Sequence, residues 1–283
     1  MNYRHAFHAG GFADVLKHAV LSRILFHLKS KPAAFRVIDT HAGAGLYDLG
    51  GEEATRGNEW RDGIARIFDA PFVPPAQALL EPYLEVVRSL NPDGQLRIYP
   101  GSPALALALL RPQDRLIACE LEPNAAQALA RHLHGDARAR TIAIDGWTGL
   151  TAYILPKERR GVVVIDPAFE ERDEFERMAD RFIAAHRKWP TGIYLLWYPI
   201  KEPAVAARFA RAVSNSGIGR ILRAELRIAA SSAAERLGGC GLLIANPPWR
   251  LKDELAILLP TLAEKLARTP DSAFNLDWLA GEK

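Results

Sequence analysis

The stretch Gly161-Val162-Val163-Val164-Ile165-Asp166-Pro167-Ala168-Phe169 decides the fold of this chain. Its first half is a run of β-branched residues, which is typical of a strand that is buried on both faces of a parallel sheet. Pro167 has no backbone N–H and ends the hydrogen-bond ladder. The sequence therefore predicts that Asp166 stands at the carboxyl end of a central strand, the edge where open α/β sheets bind ligands.

The residues that follow this strand suggest a specific chemistry. The ring of Phe169 offers a flat face to a nucleobase, while the Asp166 carboxylate and the Pro167 carbonyl can accept the protons of an exocyclic amine. Adenine-N6 methylation needs these groups. A strand followed by Asp-Pro also occurs where the aspartate only caps the next helix, so the motif alone leaves both interpretations open.

Six further strand patterns accompany this one, and helical patterns separate most of them. The strands are predicted at 35–40, 115–120, 141–145, 192–197, 221–228 and 241–245, and the helices at 11–29, 123–133, 174–188 and 203–214. Alternating strands and helices indicate βαβ units with right-handed crossovers. We therefore predict an α/β fold with a methyltransferase-like mixed sheet of seven strands, the seventh antiparallel.

One interval is too long for this rhythm. About seventy residues separate Gly45 from the strand that begins at Arg115, where a single crossover needs only a few tens. Ser102, followed by Pro103 and an apolar run, has the form of an N-cap and the start of a helix. We predict a catalytic domain of residues 1–45 and 99–283, with a small helical subdomain inserted at 46–98 and helices near 58–69 and 75–90.

The composition indicates a globular protein with a large core. The chain has 283 residues, of which 49% are hydrophobic. Two cysteines, Cys119 and Cys240, do not make a disulfide framework, which favours a reducing, cytoplasmic location. There is no signal-peptide pattern and no apolar stretch of membrane-spanning length, so no membrane association is expected. The net charge of +3 is mildly basic, and residues 1–41 hold six Lys and Arg against two Asp.

The predicted strand ends carry residues that suit a nucleoside cofactor. They are Gly43 and Gly45 after the first strand, Glu120 after the second, and Asp145 and Gly146 after the third. A carboxylate at such an edge can accept both ribose hydroxyls. Asp48 interrupts the G-x-G-x-x-G pattern of dinucleotide sites, and no helix begins directly there to receive a pyrophosphate. The loop therefore favours a cofactor without phosphates, such as S-adenosylmethionine.

Several separated motifs together provide a resemblance to a known family. They are Tyr3-Arg4-His5, Phe7-His8-Ala9-Gly10, Ala13-Asp14-Val15-Leu16-Lys17-His18, Asp39-Thr40-His41-Ala42-Gly43-Ala44-Gly45, Tyr99-Pro100-Gly101-Ser102-Pro103 and Trp197-Tyr198-Pro199. From Tyr3 to about Trp249 the chain resembles the RlmJ family of 23S rRNA adenine-N6 methyltransferases. The resemblance implies a Rossmann-like class I S-adenosylmethionine-dependent methyltransferase with an inserted helical subdomain, a monomer, and adenine 2030 of 23S rRNA as the target.

The resemblance also implies roles for individual residues. Asp166 would be the catalytic residue and Tyr3 would meet the RNA. The residues implied to contact S-adenosylmethionine or to border its site are His18, His41, Ser102, Glu120, Asp145, Gly146 and Asp166. To these we add Gly43 and Gly45 for the cofactor and Pro167 and Phe169 for the reaction. For the RNA we add Phe169 and the basic residues Arg4, Lys17 and Arg23 of the N-terminal segment.

Two features of the motif need separate treatment. The family pattern is Asp-Pro-Pro-Tyr, and this chain has Ala168 and Phe169 instead, so the stacking face remains while the tyrosine hydroxyl is lost. By residue identity, the stretch Asn246-Pro247-Pro248-Trp249 matches the pattern of amino-methyltransferases better than Asp166 to Phe169 does. It follows the last strand, however, whereas Asp166 follows the fourth, which adjoins the glycine loop in this topology. We therefore interpret Asn246 to Trp249 as a turn into the final helix.

The remaining alternatives concern metals and substrates. Five of the eight histidines precede residue 42, but no metal-ligand spacing is present and no metal is expected. His18 lies four residues after Asp14, which suggests a carboxylate-oriented histidine or a plain helix pair. A DNA adenine-N6 methyltransferase would share every catalytic requirement. A non-catalytic nucleic-acid-binding protein linked to DNA utilisation is a further alternative, against which the intact acidic residues argue.

Overall fold

The computed structural model describes residues 4–229 and 237–281. In these ranges the strands are β1 (Arg36–Asp39), β2 (Leu46–Asp48), β3 (Ile98–Pro100), β4 (Arg115–Glu120), β5 (Ala139–Ala143), β6 (Gly161–Ile165), β7 (Ile193–Pro199), β8 (Ile221–Arg227), β9 (Gly239–Ala245) and β10 (Ala273–Ala280). The α-helices are α1 (Phe12–Lys29), α2 (Glu52–Gly57), α3 (Pro74–Ser89), α4 (Ser102–Leu109), α5 (Pro123–His132), α6 (Gly146–Tyr153), α7 (Glu174–Lys188), α8 (Pro203–Ser214) and α9 (Leu251–Leu266).

The main sheet has the order β10-β8-β9-β7-β6-β1-β4-β5. Strands β1 and β4 to β7 run parallel, while β9 is antiparallel to both of its neighbours, β7 and β8. This confirms a Rossmann-like class I methyltransferase fold with an antiparallel strand. The predicted count of seven is wrong, because β10 adds an eighth described strand at the edge. None of its residues is buried, so its sequence lacks the apolar signal of the other strands.

Strand β6 lies at the centre of the sheet, with a hydrophobic core on each face. Val162 and Val164 pack in one core with α1, α3, α4 and α9, and Val163 and Ile165 pack in the other with α6, α7 and α8. All five residues of the strand are buried. The apolar run at 161–165 is therefore explained by burial on both faces, as the sequence predicted.

The segment between β1 and β4 contains α2, α3 and a two-stranded hairpin of β2 and β3. Its longest helix, α3, buries Leu80 and Tyr83 in the same core as α1. The predicted helix at 58–69 is wrong: two single 3₁₀ turns occur there, at 59–61 and 64–66. Asn58 has a left-handed φ of 54°, which ends α2 and prevents one continuous helix.

None of the helices in residues 4–229 and 237–281 combines the length and the apolarity needed to cross a bilayer.

Candidate active site

A cavity of about 570 Å³ lies above the carboxyl ends of β1, β4, β5 and β6. Of the residues predicted from the sequence, those that line it are Arg4, Lys17, His41, Gly43, Ser102, Glu120, Asp145, Gly146, Asp166 and Pro167. Four predicted residues, His18, Arg23, Gly45 and Phe169, are not part of its wall. Tyr3 lies outside the described residues. The parallel topology therefore brings most of the predicted set to one place.

Backbone hydrogen bonds hold the glycine loop after β1 against Glu120 and Gly101. Gly43 and Gly45 have left-handed φ angles of 63° and 84°. The Gly43 N–H donates to Oε2 of Glu120 at 2.7 Å, and the Gly45 carbonyl accepts from the N–H of Gly101 at 2.8 Å. The Gly45 carbonyl thus joins the loop to the start of α4. Gly45 is not among the residues that line the cavity, and its place beside the cofactor stays a prediction.

Substitution of Gly43 by alanine is expected to destabilise the fold more than the same change at Gly135. Both glycines are left-handed, so both variants lose about 1–2 kcal/mol to backbone strain. A methyl group on Gly43 would also lie 2.1 Å from the Tyr47 hydroxyl, whereas Gly135 has open space around it. We expect Gly43→Ala to cost about 1–3 kcal/mol more than the control. Urea unfolding of both variants measures the difference, and equal losses would contradict the prediction.

Glu120 is positioned as an acceptor at the cavity wall. Its Oε1 accepts the N–H of Glu122 at 2.8 Å, and its Oε2 accepts the Gly43 N–H. Each carboxylate oxygen has further acceptor capacity. Since two backbone donors fix its orientation, the side chain can receive the hydroxyls of a ligand without reorganising.

Flat side chains form another part of the wall. The His41 and Trp147 rings meet edge to face with their centroids 5.0 Å apart, and burial lowers the pKa of His41 to about 4. A side chain on Gly146 would lie 2.3 Å from the Thr40 carbonyl, so only glycine fits there. Asp145 caps α6 by accepting the N–H and the hydroxyl of Thr148 at 2.8 and 2.9 Å. The sequence did not identify Trp147, although it directly follows Asp145 and Gly146.

Ser102 was predicted to cap its helix, but it does not. The N-cap of α4 is Gly101, and the Ser102 hydroxyl donates to Oδ2 of Asp39 at 2.6 Å. Oδ1 of Asp39 is buried without a hydrogen-bond partner among the described residues. Burial raises the pKa of Asp39 to about 6. The serine therefore supports a buried carboxyl at the end of β1 rather than a helix terminus.

A buried network of charged groups joins α1 to the carboxylate after β6. The Lys17 ammonium contacts Oδ2 of Asp166 and lies 2.9 Å from Oδ1 of Asp14. Oδ2 of Asp14 accepts the Gly10 N–H at 3.0 Å and lies 2.9 Å from Nε2 of His5. Burial alone would lower the pKa of Lys17, but the two carboxylates outweigh it and hold that pKa well above its usual range.

Two predicted phosphate contacts are therefore wrong. The Lys17 side chain is only 5% exposed, and both of its partners are carboxylates. Arg23 is also buried and forms a bidentate ion pair with Glu254, at 2.9 and 2.8 Å. Arg4 is exposed at the cavity wall, where it pairs with Glu53 at 2.7 Å. Of these three cations, Arg4 alone remains accessible to a phosphate in this structure.

His18 belongs to the core beneath the site. Its Nδ1 lies 2.8 Å from the Tyr99 hydroxyl, which in turn lies 2.7 Å from that of Tyr83. The predicted pairing with Asp14 is wrong, because Asp14 contacts Lys17 and His5 instead. His18 is fully buried and is not among the residues that line the cavity, and its implied place beside the cofactor stays a prediction.

The burial of His18 predicts a loss of stability in acid. Desolvation lowers its pKa to about 3 in the folded chain, against about 6.5 when unfolded. The unfolded state therefore binds more protons below pH 6.5, and stability falls as the pH falls towards 3. Between pH 7.5 and pH 5 this group accounts for about 2 kcal/mol. Urea unfolding at both values should show a smaller pH dependence for His18→Gln than for His134→Gln, an exposed control; equal dependences would contradict the assignment.

The residues after Asp166 depart from the prediction in one respect. Phe169 has a left-handed φ of 53°, and its ring packs against Phe175 and Trp197 at centroid distances of 4.8 and 5.8 Å. The ring is part of an aromatic cluster beside the cavity rather than of its wall. Its role as a stacking surface stays a prediction.

The alternative motif Asn246 to Trp249 lies at the opposite edge of the sheet. Strand β9 is antiparallel, so Ala245 at its end is opposite Tyr194 near the start of β7. Asn246 donates to the carbonyls of Pro190 and Gly192 at 2.7 and 2.8 Å, and α9 begins at Leu251. The motif is a turn into the last helix, as predicted.

The charge of the cavity wall decides which cofactor fits. Three of its lining residues are Lys or Arg, whereas eight are acidic: Glu53, Glu120, Glu122, Asp145, Asp166, Glu170, Glu171 and Glu174. An acidic wall repels a pyrophosphate and favours a cationic ligand. The fixed carboxylate of Glu120 and the flat wall of His41 and Trp147 suit a nucleoside. S-adenosylmethionine, a nucleoside with a sulfonium cation, fits this set.

Comparison with known proteins supports the same conclusion. The family model described as "Ribosomal RNA large subunit methyltransferase D, RlmJ" matches residues 32–280. Proteins named "Ribosomal RNA large subunit methyltransferase J" from Escherichia coli (strain K12) and Haemophilus influenzae are 40% and 34% identical, each over the full length of both chains. A solved structure from Legionella pneumophila is 32% identical, covers 96% of this chain and 98% of its own, and has a TM-score of 0.87. The chain belongs to the RlmJ family.

Proposed function

We propose that the protein is an S-adenosylmethionine-dependent methyltransferase that methylates the N6 amine of an adenine in 23S rRNA, adenine 2030 by family resemblance. One observation carries the chemistry: Asp166 and Pro167 line the same acidic cavity as Glu120, His41 and Trp147. A proton acceptor and a nucleoside-binding wall therefore share one space. The names of the full-length relatives support ribosomal RNA as the substrate.

Different residues of the cavity wall would bind different parts of the cofactor. Glu120 would accept the ribose hydroxyls, and the His41 and Trp147 rings with Gly146 would hold the adenine ring. When bound, S-adenosylmethionine supplies an electrophilic methyl group on its sulfonium.

The N6 amine of adenine needs activation because its lone pair is delocalised into the ring. Lys17 contacts Oδ2 of Asp166, which leaves Oδ1 to accept a hydrogen bond from one N–H of the amine. The Pro167 carbonyl accepts a hydrogen bond from the other N–H. Two acceptors hold the nitrogen towards a tetrahedral shape and aim its lone pair into the cavity. In a direct in-line transfer the new N–C bond would form as the methyl–sulfur bond breaks, and the one proton that the amine loses would pass to Oδ1 of Asp166, so no covalent intermediate on the enzyme is needed.

A paired adenine cannot enter this cavity, so the base must be unpaired or flipped out of its helix. We propose that Phe169 stacks on it after a small adjustment of the aromatic cluster. Stacking of this kind contributes on the order of 1–3 kcal/mol per base. Arg4 at the cavity wall would contact a neighbouring phosphate, and Tyr3, outside the described residues, remains a proposed RNA contact.

Phe169→Ala is expected to raise the KM for RNA about tenfold or more while the Kd for S-adenosylmethionine changes less than about threefold. Phe169→Tyr keeps the flat ring and should retain most of the activity. Methyl-transfer kinetics at varied RNA concentration, together with calorimetric titration of the cofactor, separate the two effects. If cofactor affinity falls more than RNA affinity in the alanine variant, the ring supports the core rather than the base.

The experiment that tests the function incubates the pure protein with methyl-labelled S-adenosylmethionine and one of three substrates. These are 23S rRNA, a fragment around the target adenine, and duplex DNA. We expect label at adenine N6 in both RNA substrates. Label in DNA alone would overturn the substrate, and no label in any substrate would favour a non-catalytic nucleic-acid-binding protein.

Three further properties belong to this proposal. We propose that residues 1–45 and 99–283 form the catalytic domain and that 46–98 are its helical insertion. We also propose that the enzyme acts as a monomer and in the cytoplasm. Two buried free thiols, Cys119 and Cys240, are consistent with a reducing compartment. Light scattering of the pure protein measures its molecular mass in solution and so tests whether it is a monomer.

A further inference from the structure

The edge of the sheet opposite the cavity is strongly basic. Strand register places the start of each parallel strand there: Arg36 is opposite Arg115 and Gly161, and Ala245 is opposite Tyr194 and Ile221. We call the loops at this edge the base face; they are residues 29–36, 111–115, 136–140, 157–160, 187–192, 217–220 and 246–253. Together these loops contain fifteen Lys and Arg against four Asp and Glu.

The cavity edge has the opposite charge. Its loops at 120–123, 144–148, 166–174 and 200–203 contain nine Asp and Glu against two Lys and Arg. The net charge of +3 for the whole chain conceals this separation. A polyanion such as RNA is therefore attracted to the base face and repelled by the rim of the cavity. The cavity edge alone offers a poor surface for the many phosphates of a large RNA.

Part of the positive charge of the base face is available to a ligand. Three of its four acidic residues already pair with arginines inside the face: Asp114 with Arg111, Asp136 with Arg138, and Glu158 with Arg36. Exposed cations remain on neighbouring loops, namely Lys31, Arg140, Lys157, Arg187 and Lys188. None of these five has a carboxylate within 4.0 Å among the residues of the described ranges. Unpaired exposed cations of this kind are suited to phosphate contacts.

Exposed tryptophans accompany these cations at one end of the face. Trp249 is 80% exposed, and the guanidinium of Arg250 lies 5.3 Å from the centre of its ring. Two residues after Arg250, the Lys252 ammonium lies 5.7 Å from the ring of Trp278, which is 38% exposed. Aromatic rings interleaved with cations are the platform on which unpaired bases stack in single-strand-binding proteins.

We propose that the base face is a second contact surface for the RNA substrate, with its cations on backbone phosphates and Trp249 under an unpaired base. This inference rests on the proposed function, because it concerns how the same RNA is held. The cations extend along seven neighbouring strands, at the starts of six and at the end of β9, which is about 29 Å at the usual spacing. That extent fits an RNA backbone better than a compact lipid-binding cluster. The RNA outside the target segment would supply these contacts, while the target adenine enters the cavity at the other edge.

The test compares two triple variants that remove the same charge. The first, Lys157→Gln, Arg187→Gln and Lys188→Gln, alters exposed cations of the base face. The control, Arg181→Gln, Arg208→Gln and Arg227→Gln, alters exposed arginines elsewhere. Binding of a long 23S rRNA transcript is measured without cofactor between 50 and 200 mM salt. We expect the first variant to bind about tenfold more weakly, with the slope of log Kd against log salt reduced by about 0.7–0.9 for each lost phosphate contact.

Trp249→Ala tests the stacking component separately. It should weaken binding about tenfold without changing the salt slope, because no charge is removed. In methyl-transfer assays both base-face variants should raise the KM for the long RNA and leave kcat unchanged. A short fragment that carries only the target segment should show no change in KM.

The outcomes separate the inference from the proposed function. If base-face variants lose RNA binding although the protein methylates no RNA, the inference holds and the proposed function fails. If the protein methylates RNA but the base-face triple variant binds RNA as tightly as the control variant, the inference is overturned and the proposed function stands. The same variants are also mixed with vesicles containing phosphatidylglycerol. Loss of vesicle binding with unchanged RNA binding would make the face a lipid contact and overturn the inference as well.

Discussion

Asp166→Asn is expected to reduce methyl transfer by at least about 10³-fold while the protein stays folded. The asparagine amide has one acceptor oxygen instead of two and no charge, so Lys17 and the amine would compete for that oxygen and the amide could not take up the proton that the amine loses. Lys17 retains its ion pair with Asp14 at 2.9 Å, which preserves the packing of α1. The loss should therefore lie in the chemical step. The affinity for S-adenosylmethionine should change less than about threefold.

Single-turnover transfer of a labelled methyl group measures the chemical step, and calorimetry measures cofactor binding. Asp173→Asn is a matched control, since Asp173 lies on the same loop, is exposed, and is not part of the cavity wall. The control should transfer at the rate of the unaltered protein. A rate for Asp166→Asn within about tenfold of that value would contradict the role assigned to this carboxylate.

Lys17→Met is expected to cost about 3–5 kcal/mol of stability, because removal of one member of a buried ion pair leaves its partner charged in a poor solvent. Two carboxylates lose their contact here, Asp14 and Asp166. Asp14 retains His5 and the Gly10 N–H, so the larger effect on position should fall on Asp166. We therefore expect methyl transfer to fall by at least about 100-fold, because the proton acceptor is no longer held in place.

The control for this variant is Lys29→Met, the same change at the other end of the same helix. Lys29 is partly exposed and has no ion pair among the described residues. Denaturant unfolding should show a change within about 0.5 kcal/mol for Lys29→Met. Equal stabilities of the two variants would mean that the network is not needed for folding. Activity assays on folded Lys17→Met then show whether it still positions Asp166.

Much of the fold could be predicted because it depends on local patterns. The apolar run at 161–165, buried on both faces, gave a clear strand signal, and the other parallel strands follow the same rule. The ends of parallel strands meet at one edge whatever their loops contain. For this reason Glu120, Asp145 and Asp166 could be placed together from spacing alone. Strand β10 was missed because an edge strand without buried residues has no such pattern.

Helix α1 shows why the roles of other site residues were not predictable. Most of its residues are buried, both apolar and charged, so the sequence has no polar face that tells which side meets the cavity. Lys17 and His18 are adjacent in sequence. Lys17 reaches the Asp166 carboxylate, whereas His18 lies among tyrosines in the core. Adjacent residues of a helix point in directions about 100° apart. Tertiary packing decides which of these directions faces the cavity and which faces the core.

Local patterns in the chain were enough to predict seven strands of the sheet, the edge at which the site lies, and Asp166 as the residue that follows the central strand. The contact between Lys17 and Asp166 was visible only in the folded chain, since the two residues are 149 positions apart. The folded chain also showed that the cations gather at the edge opposite the cavity, which a net charge of +3 conceals. A strand pattern depends only on residues that are neighbours in the sequence. Ion pairs and charged faces arise only when distant loops meet in space.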